Sequence, residues 1–394
     1  MLPLDNFSRC TVGSGIRRND NGNESSRTRL YANVNLDRAA MQDASLADPT
    51  DAPEDRRGLH YPHGRYTPAP DTLFEVADGV VWLRMPLPFS LNHINLWVLD
   101  AGDGWAIVDT GLNTGQGKKT WAGLFAGALA GKPVRRVIVT HYHPDHLGLA
   151  GWLCERWGVP LEIARTEYLL ARTLTLDVRD APPREAVAFY ARAGWPDDRL
   201  AAFAARAWGG FSKIVSPLPA GFVRIGDGDA LSIGGRTWRI VTGRGHSPEH
   251  SCLVTDGLMI AGDQVLPRIT SNVSVYPTEP RADPLHDWLD SIERLREVDA
   301  RIRVLPAHNE PFEELHTRLD QLRDDHLDKL AKLETFCVEP RTVFETFPVL
   351  FRRPVDPDST MMATGEALAH LHWLEARGAL VRHTDGEADR FVQA

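Results

Sequence analysis

Val137-Ile138-Val139-Thr140-His141-Tyr142-His143-Pro144-Asp145-His146 is the stretch that decides the fold. The apolar run at its start reads as a buried strand. Four side chains able to bind a metal, His141, His143, Asp145 and His146, then fall within six consecutive positions. Pro144 removes a backbone donor and argues against a regular element running through the segment. A short loop at a strand end can turn all four side chains to one side. Neutral imidazoles with a carboxylate suit zinc or a similar first-row ion. The loop reads as a metal site.

Three more segments repeat the arrangement of apolar strand followed by ligand. Gly245-His246-Ser247-Pro248-Glu249-His250 follows Arg239-Ile240-Val241, Gly262-Asp263-Gln264 follows Leu258-Met259-Ile260-Ala261, and Pro306-Ala307-His308-Asn309 follows Arg303-Val304-Leu305. Each alone could be a turn residue or a cap. Their recurrence in one chain gives them weight. Upstream, Trp105-Ala106-Ile107-Val108 ends in Asp109-Thr110-Gly111.

In this order the motifs resemble the metallo-β-lactamase-fold hydrolases, including their glyoxalase II-like and β-lactamase-like protein 2-like groups. The resemblance spans about residues 70–312. It implies an α/β fold, an αββα sandwich with metals at one edge between two sheets. It assigns His141, His143 and His246 to one metal, Asp145, His146 and His308 to a second, and Asp263 to a bridge between them. It also implies that Asp109 orients the histidine loop by hydrogen bonding and that His250 lies behind the ligands. Three histidines leave a coordination position open, so a bound water can ionise near neutral pH, with Asp145 orienting it. Asp at 145 beside His146 favours a two-ion site. The expected cofactors are two zinc ions, with iron or manganese compatible with the same donors. Cysteine, a ligand in some true β-lactamases, is missing from these loops, which argues against antibiotic hydrolysis as the native role. Asn309 stands where many relatives have glycine, so the wall near the second metal is expected to be bulkier.

The chain has 394 residues, 43% apolar and 25% charged, enough for two domains and a large core. No apolar run is long enough to span a bilayer, and the start of the chain lacks a secretory apolar region, so a cytoplasmic location is expected. Cys10, Cys154, Cys252 and Cys337 are dispersed, without metal-type pairing or a disulfide framework. The net charge of −9 disfavours a broad nucleic-acid surface.

Residues 1–66 are polar and turn-rich and read as a flexible extension. Residues 67–312 carry the strands and ligands, with a helical insertion at 166–215 rich in Tyr168, Leu169, Leu170, Leu174, Phe189, Tyr190, Trp195, Phe203 and Trp208. That insertion reads equally as a roof receiving an acyl or aromatic group or as a packing subdomain. Trp152, Trp157, Trp195 and Trp208 are expected in the core. His286, His316 and His326 lie in helical contexts and are expected to be solvated or packed. Residues 313–394 read as helices followed by a short strand, a small winged-helix-like domain. This tail resembles that of the β-lactamase-like protein 2 group, some of whose members cleave single-stranded RNA.

A winged helix normally meets nucleic acid through basic residues, but Glu366 and Glu375 lie on this one and no basic run flanks it. Packing or homodimer formation is the tail's alternative use. The expected activity is hydrolysis of a small thioester, ester or lactone. A metal-dependent endoribonuclease is the alternative. A regulatory protein with a sensing metal domain is disfavoured by retention of all seven ligands.

Overall fold

A computed structural model describes residues 52–89, 91–384 and 386–394. The polar segment through residue 51 therefore lies outside the described residues. Most of the extension expected over 1–66 falls on those residues, but its last part, from Glu54, carries regular structure. Strands β1 (Glu54–Arg56) and β2 (Leu59–Tyr61) pair antiparallel, and Arg57 and Gly58 between them have φ of 52° and 75°. Positive φ at both turn residues is the geometry that matches strand twist in a two-residue hairpin. Leu59 and Tyr61 are buried against the core that contains Phe312 and Leu315, and Glu313 donates its amide to the His60 carbonyl at 2.8 Å. Alternation of polar and apolar residues over so few positions was too short a signal to read.

Strands β3 (Leu73–Ala77), β4 (Val80–Pro86), β5 (His93–Asp100), β6 (Trp105–Val108), β7 (Val134–Ile138), β8 (Leu161–Ile163) and β9 (Val223–Arg224) form one sheet in that order. Strands β10 (Ala230–Ile233), β11 (Arg236–Gly243), β12 (His250–Thr255), β13 (Leu258–Gly262) and β14 (Arg303–Pro306) form the second. Side chains alternate across a strand, so a strand covered on both faces is apolar throughout. Trp82, Trp97, Ala106 and Val108 meet Trp238, Ile240, Leu253 and Ile260 between the sheets. Their neighbours Val81, Leu83, Leu96, Val98 and Ile107 face the helices on the other side of the first sheet. Cys252, Met259 and Ala261 do the same for the second. The result is the expected αββα sandwich.

Helices α1 (Gly115–Ala126), α2 (Pro144–Leu147), α3 (Ala150–Trp157) and α4 (Arg165–Leu176) belong to the first sheet's side. Thr114 caps α1, accepting from the Gly117 amide. Pro144 opens α2 rather than interrupting structure, because a first-turn proline gives up no helical hydrogen bond. The insertion continues as α5 (Arg184–Arg192), α6 (Asp197–Ala204) and α7 (Phe211–Ile214).

Helix α8 (Pro284–Leu295), capped by Asp283, buries Leu285, Trp288, Ile292 and Leu295 on the second sheet. It is joined there by α9 (Leu315–Phe336), α10 (Phe347–Leu350) and α11 (Thr360–Ala376), and the chain ends in the hairpin of β15 (Leu380–His383) and β16 (Arg390–Gln393). Tail residues Leu319, Leu330 and Leu371 share one apolar cluster with Val304 and Trp288. Helix α11 is buried around most of its circumference, including Thr364, Gly365, Ala367, Leu368, His370 and Leu371. A helix apolar all round is a core helix.

Candidate metal centre

The ligand loops share one edge because β6 and β7 run parallel, as do β13 and β14, and β11 points the same way as β13 through the antiparallel β12. Each loop leaves a strand's C-terminal end there. Among the described residues, His141, His143, His246 and Asp263 form one group and Asp145, His146 and His308 another, the donor atoms of each group lying within 4.8 Å of one another. All seven residues picked from the sequence are therefore brought together. His250 belongs to neither group.

The ring nitrogens of the first group converge without a protein acceptor between them. His141 Nε2 and His143 Nδ1 are 2.9 Å apart, His143 Nδ1 and His246 Nε2 3.0 Å, and His246 Nε2 and His141 Nε2 3.2 Å. Zinc–nitrogen bonds of about 2.0–2.1 Å in a tetrahedron require edges of about 3.3 Å, close to this triangle. Asp263 spans the two groups. Its Oδ2 is 3.4 Å from His246 Nε2 and 3.5 Å from His146 Nε2, while its Oδ1 is 3.3 Å from His308 Nε2. Asp145 Oδ2 lies 3.5 Å from His308 Nε2 and 3.8 Å from His146 Nε2.

Hydrogen bonds on the far side of four rings fix which nitrogen faces inward. His246 Nδ1 donates to the Asn272 carbonyl at 2.8 Å and His308 Nδ1 to the His93 carbonyl at 2.7 Å. His146 Nδ1 donates to Asp109 Oδ2 at 2.7 Å. The Thr140 hydroxyl, which must donate to the Asp109 carboxylate 2.9 Å away, has a lone pair left for His141 Nδ1 at 3.1 Å. Each Nε2 thus faces the centre, the arrangement that orients metal-binding histidines. His146 Nε2 and Asp263 Oδ1 are buried with no hydrogen-bond partner, a costly state for polar atoms that a cation would relieve. The residues fit a pair of divalent ions.

Electrostatics separate the two groups. Burial, helped by neighbouring imidazoles, holds His141 well below its ordinary value and pushes His143 down to about 3. At His308 burial acts the same way, but Asp263 and Asp145 outweigh it and raise the ring to about 10. Asp109, Asp145 and Asp263 likewise hold His146 above its ordinary value against burial. The carboxylate-rich group thus calls for positive charge beside it.

Asp109 takes the supporting place expected for it. It has φ of 62°, and its Oδ1 also accepts the Thr140 amide at 2.8 Å, tying β6 to the histidine loop. His250 is again behind the ligands: its Nε2 accepts the Asp263 amide at 3.1 Å, and its ring stacks on His141 at 4.7 Å. Gly262, with φ of 50°, is needed there because a Cβ would come within 2.6 Å of His250 Nε2. Asn309 has φ of 68°, a conformation glycine adopts freely and asparagine tolerates.

One supporting residue was not legible in advance. Glu167 on α4 is fully buried and joins two ligand loops, accepting the Tyr142 amide at 2.9 Å, the Ser247 hydroxyl at 2.8 Å and the Glu249 amide at 2.6 Å. Burial pushes its carboxyl up to about 7, although these three donors favour the charged form. Beside His246 a cleft of about 720 Å³ opens between α4 and the start of α8, with Tyr142, Leu169, Leu170, Pro248 and Tyr276 among its walls. Leu169 is 53% exposed there. The insertion therefore divides. Its first helix lines the cleft, while Tyr190, Trp195 and Phe203 pack with Val343 and Phe347 of the tail. Trp195 is buried, and Trp152, Trp157 and Trp208 are half-buried against the cores. His326 is buried too, 3.1 Å from His370, whereas His286 stays exposed.

A two-sheet sandwich carrying this donor set at its edge defines a metal-dependent hydrolase of the αββα class. The pattern of the Metallo-beta-lactamase superfamily matches residues 90–308, and that of the Metallo-beta-lactamase-like C-terminal domain matches residues 330–394. The chain belongs to the metallo-beta-lactamase superfamily. It is 42% identical to a beta-lactamase domain protein of Burkholderia ambifaria, whose crystal structure superposes with a TM-score of 0.79, covering 85% of this chain and 98% of that one. A family protein of Thermus thermophilus is 26% identical with a TM-score of 0.68, over 81% and 100% of the two chains. Among curated proteins it is 24% identical to a probable metallo-hydrolase of Bacillus subtilis, over 80% of this chain and 98% of that protein. It is also 25% identical to an atrochrysone carboxyl ACP thioesterase of Aspergillus fumigatus, over 59% of this chain but only 41% of that protein. No helix among the described residues is long and apolar enough to cross a membrane.

Proposed function

We propose that this protein is a dinuclear metal-dependent hydrolase of small acyl thioesters, with esters and lactones as chemically related substrates. The observation that carries the reading is the cleft, walled by Leu169, Leu170 and Tyr142, that opens directly beside His246. Leu169, Leu170 and Tyr142 can take an acyl group on one wall, while Arg244, Glu249, Glu279 and Asp287 make the rest of the lining suited to a polar portion of the substrate. The thioesterase names among its relatives point the same way.

A pair of divalent ions such as zinc supplies Lewis acidity, acidifying water and polarising a carbonyl oxygen. His141, His143 and His246 would hold one, Asp145, His146 and His308 the other, with Asp263 between. Asp145 retains 20% side-chain exposure, so one oxygen can accept a hydrogen bond from the attacking water and orient it. Leu169 and Leu170 exclude solvent from the acyl chain and hold its carbonyl near the donors.

The acyl reading is favoured over the ribonuclease alternative because α11 is buried over much of its surface and carries Glu366 and Glu375 rather than a basic face. Purified holoprotein should contain about two equivalents of transition metal and hydrolyse acyl thioesters faster than matched oxyesters or lactones, leaving single-stranded RNA intact. RNA cleavage that disappears in Asp145→Ala, with thioesters untouched, overturns the proposal.

A further inference from the structure

Loop and tail residues far from the ligand loops in sequence come together behind His246. The Asn272 carbonyl that fixes this imidazole belongs to an irregular segment between β13 and α8. Asn272 is itself held by its side chain: Nδ2 donates to Glu366 Oε2 at 3.2 Å, and the Ser274 hydroxyl donates to Oδ1. Glu366 Oε1 accepts from Lys329 Nζ at 3.1 Å, and Lys329 also meets Asp325 at 3.0 Å. Glu366 and Lys329 have side chains only 14% and 15% exposed, so this is a largely buried pair between α11 and α9.

The backbone follows the same route. Val275 donates its amide to the Gly365 carbonyl at 3.1 Å, and the Ser271 hydroxyl donates to the Asp263 carbonyl. Glycine inside a helix costs about 1 kcal/mol relative to alanine, so Gly365 requires a reason. A Cβ there would lie 2.7 Å from Ser274 Cβ and 2.8 Å from the Val275 carbonyl oxygen. Only glycine lets the segment lie on α11. The segment thus touches Asp263 at one end, His246 in the middle and the tail helices along its outer side.

We propose that the C-terminal helices are part of the metal centre, with Asn272, Glu366 and Lys329 as positioning residues that hold the His246 imidazole through its Nδ1. The inference rests on the metal-centre reading above. It gives the tail a task at the hydrolytic site that needs no nucleic acid. Glu366 accepts from donors on both sides, Asn272 Nδ2 and Lys329 Nζ. In Glu366→Gln an amide donor must face one of them, so the chain breaks with almost no change in volume.

The test compares holoproteins of wild type, Glu366→Gln, Asn272→Ala and, as control, Lys332→Met on the exposed side of α9. Metal retention is read by competition with a chelator, and geometry at the histidines by the visible spectrum of the cobalt-substituted protein. Glu366→Gln should lose one equivalent at roughly tenfold lower chelator concentration, shift the cobalt bands, and lower kcat with KM little changed. Asn272→Ala should shift in the same direction, and it decides the matter should Glu366→Gln fail to fold. Wild-type metal retention and spectrum in a folded variant overturn the inference while leaving the hydrolase reading intact. A wild-type protein that retains no metal removes both.

Discussion

His146 and His308 are braced from inside the sandwich, whereas His143 and His246 are braced from its attachments. Behind the first pair stand Asp109 at the end of β6 and the His93 carbonyl at the start of β5. Asn95 on β5 adds hydrogen bonds to the Pro306 and Asn309 carbonyls at 2.9 Å and 2.6 Å. Those strands cannot move without unfolding the first sheet. Behind the second pair stand Glu167 on the inserted helix α4 and Asn272 on a segment laid against the tail. The cleft lies on this second side. Changes to the attachments can therefore reshape substrate binding while the carboxylate-rich half stays fixed, which is how one scaffold hosts many activities.

The largest effect is expected where the two halves meet. Asp263→Ala removes the carboxylate that faces both groups and should lower kcat/KM by about 4 kcal/mol, roughly a thousandfold. Elemental analysis should find both metal equivalents depleted. Full metal content with full turnover would remove the centre altogether.

Asp109→Ala strikes the sandwich side directly and reaches the other group only through the Thr140 hydroxyl that meets His141 Nδ1. It leaves the Thr140 amide buried without its acceptor and His146 Nδ1 with only the Thr140 hydroxyl, 3.3 Å away, the orphaned amide alone costing about 1–3 kcal/mol. The thermal midpoint should fall, and metal affinity should drop about 10–100-fold in the group containing His146. Equal losses from both groups would mean that the two halves are not braced independently.

Glu167→Gln strikes the attachment side. A glutamine amide cannot accept from the Tyr142 and Glu249 backbones at once, so one donor is orphaned and activity should fall about tenfold. The pH dependence gives a second reading. The folded-state value, about 7, lies above the ordinary 4.5, so the stability this carboxyl contributes is fully present below 4.5 and is lost as pH rises through 7. The gap in thermal midpoint between wild type and variant, measured on metal-free protein, should narrow over that window. A gap constant from pH 5 to 8 would contradict a buried carboxyl titrating there.

The strands and the seven donors were legible because each rests on a local signal, and the sandwich followed from the family resemblance those motifs carry. An apolar strand ending in His or Asp is contiguous in sequence, and the strand delivers the ligand to a known edge. The supporting residues carry no such signal. Glu167 looks like any helix glutamate, and only the fold brings it to Tyr142 and Ser247. Asn272 and Glu366 are far apart in sequence and meet through a close approach that Gly365 permits. The long connection between β13 and α8 was the one available hint, since connections of that length seldom lack a function. The tail's helices were legible, but the burial of α11 was not, because an apolar helix with scattered polar residues does not announce how many of its faces are covered.

The smallest effect should come from the cleft itself. Leu169 is exposed on α4 and its side chain makes none of the hydrogen bonds that hold the ligand loops, so Leu169→Asp should leave metal content and thermal midpoint unchanged. Its apolar surface is covered only when an acyl chain lies against it, a contribution of about 1–2 kcal/mol. KM for a medium-chain acyl thioester should therefore rise about tenfold, while an acetyl thioester, too short to reach the helix, should be hydrolysed as before. Chain-length dependence is the sharp part of this outcome. An equal loss for both substrates would mean that the substitution acts through the metal ligands, and the inserted helix would then belong with the donors rather than with the substrate.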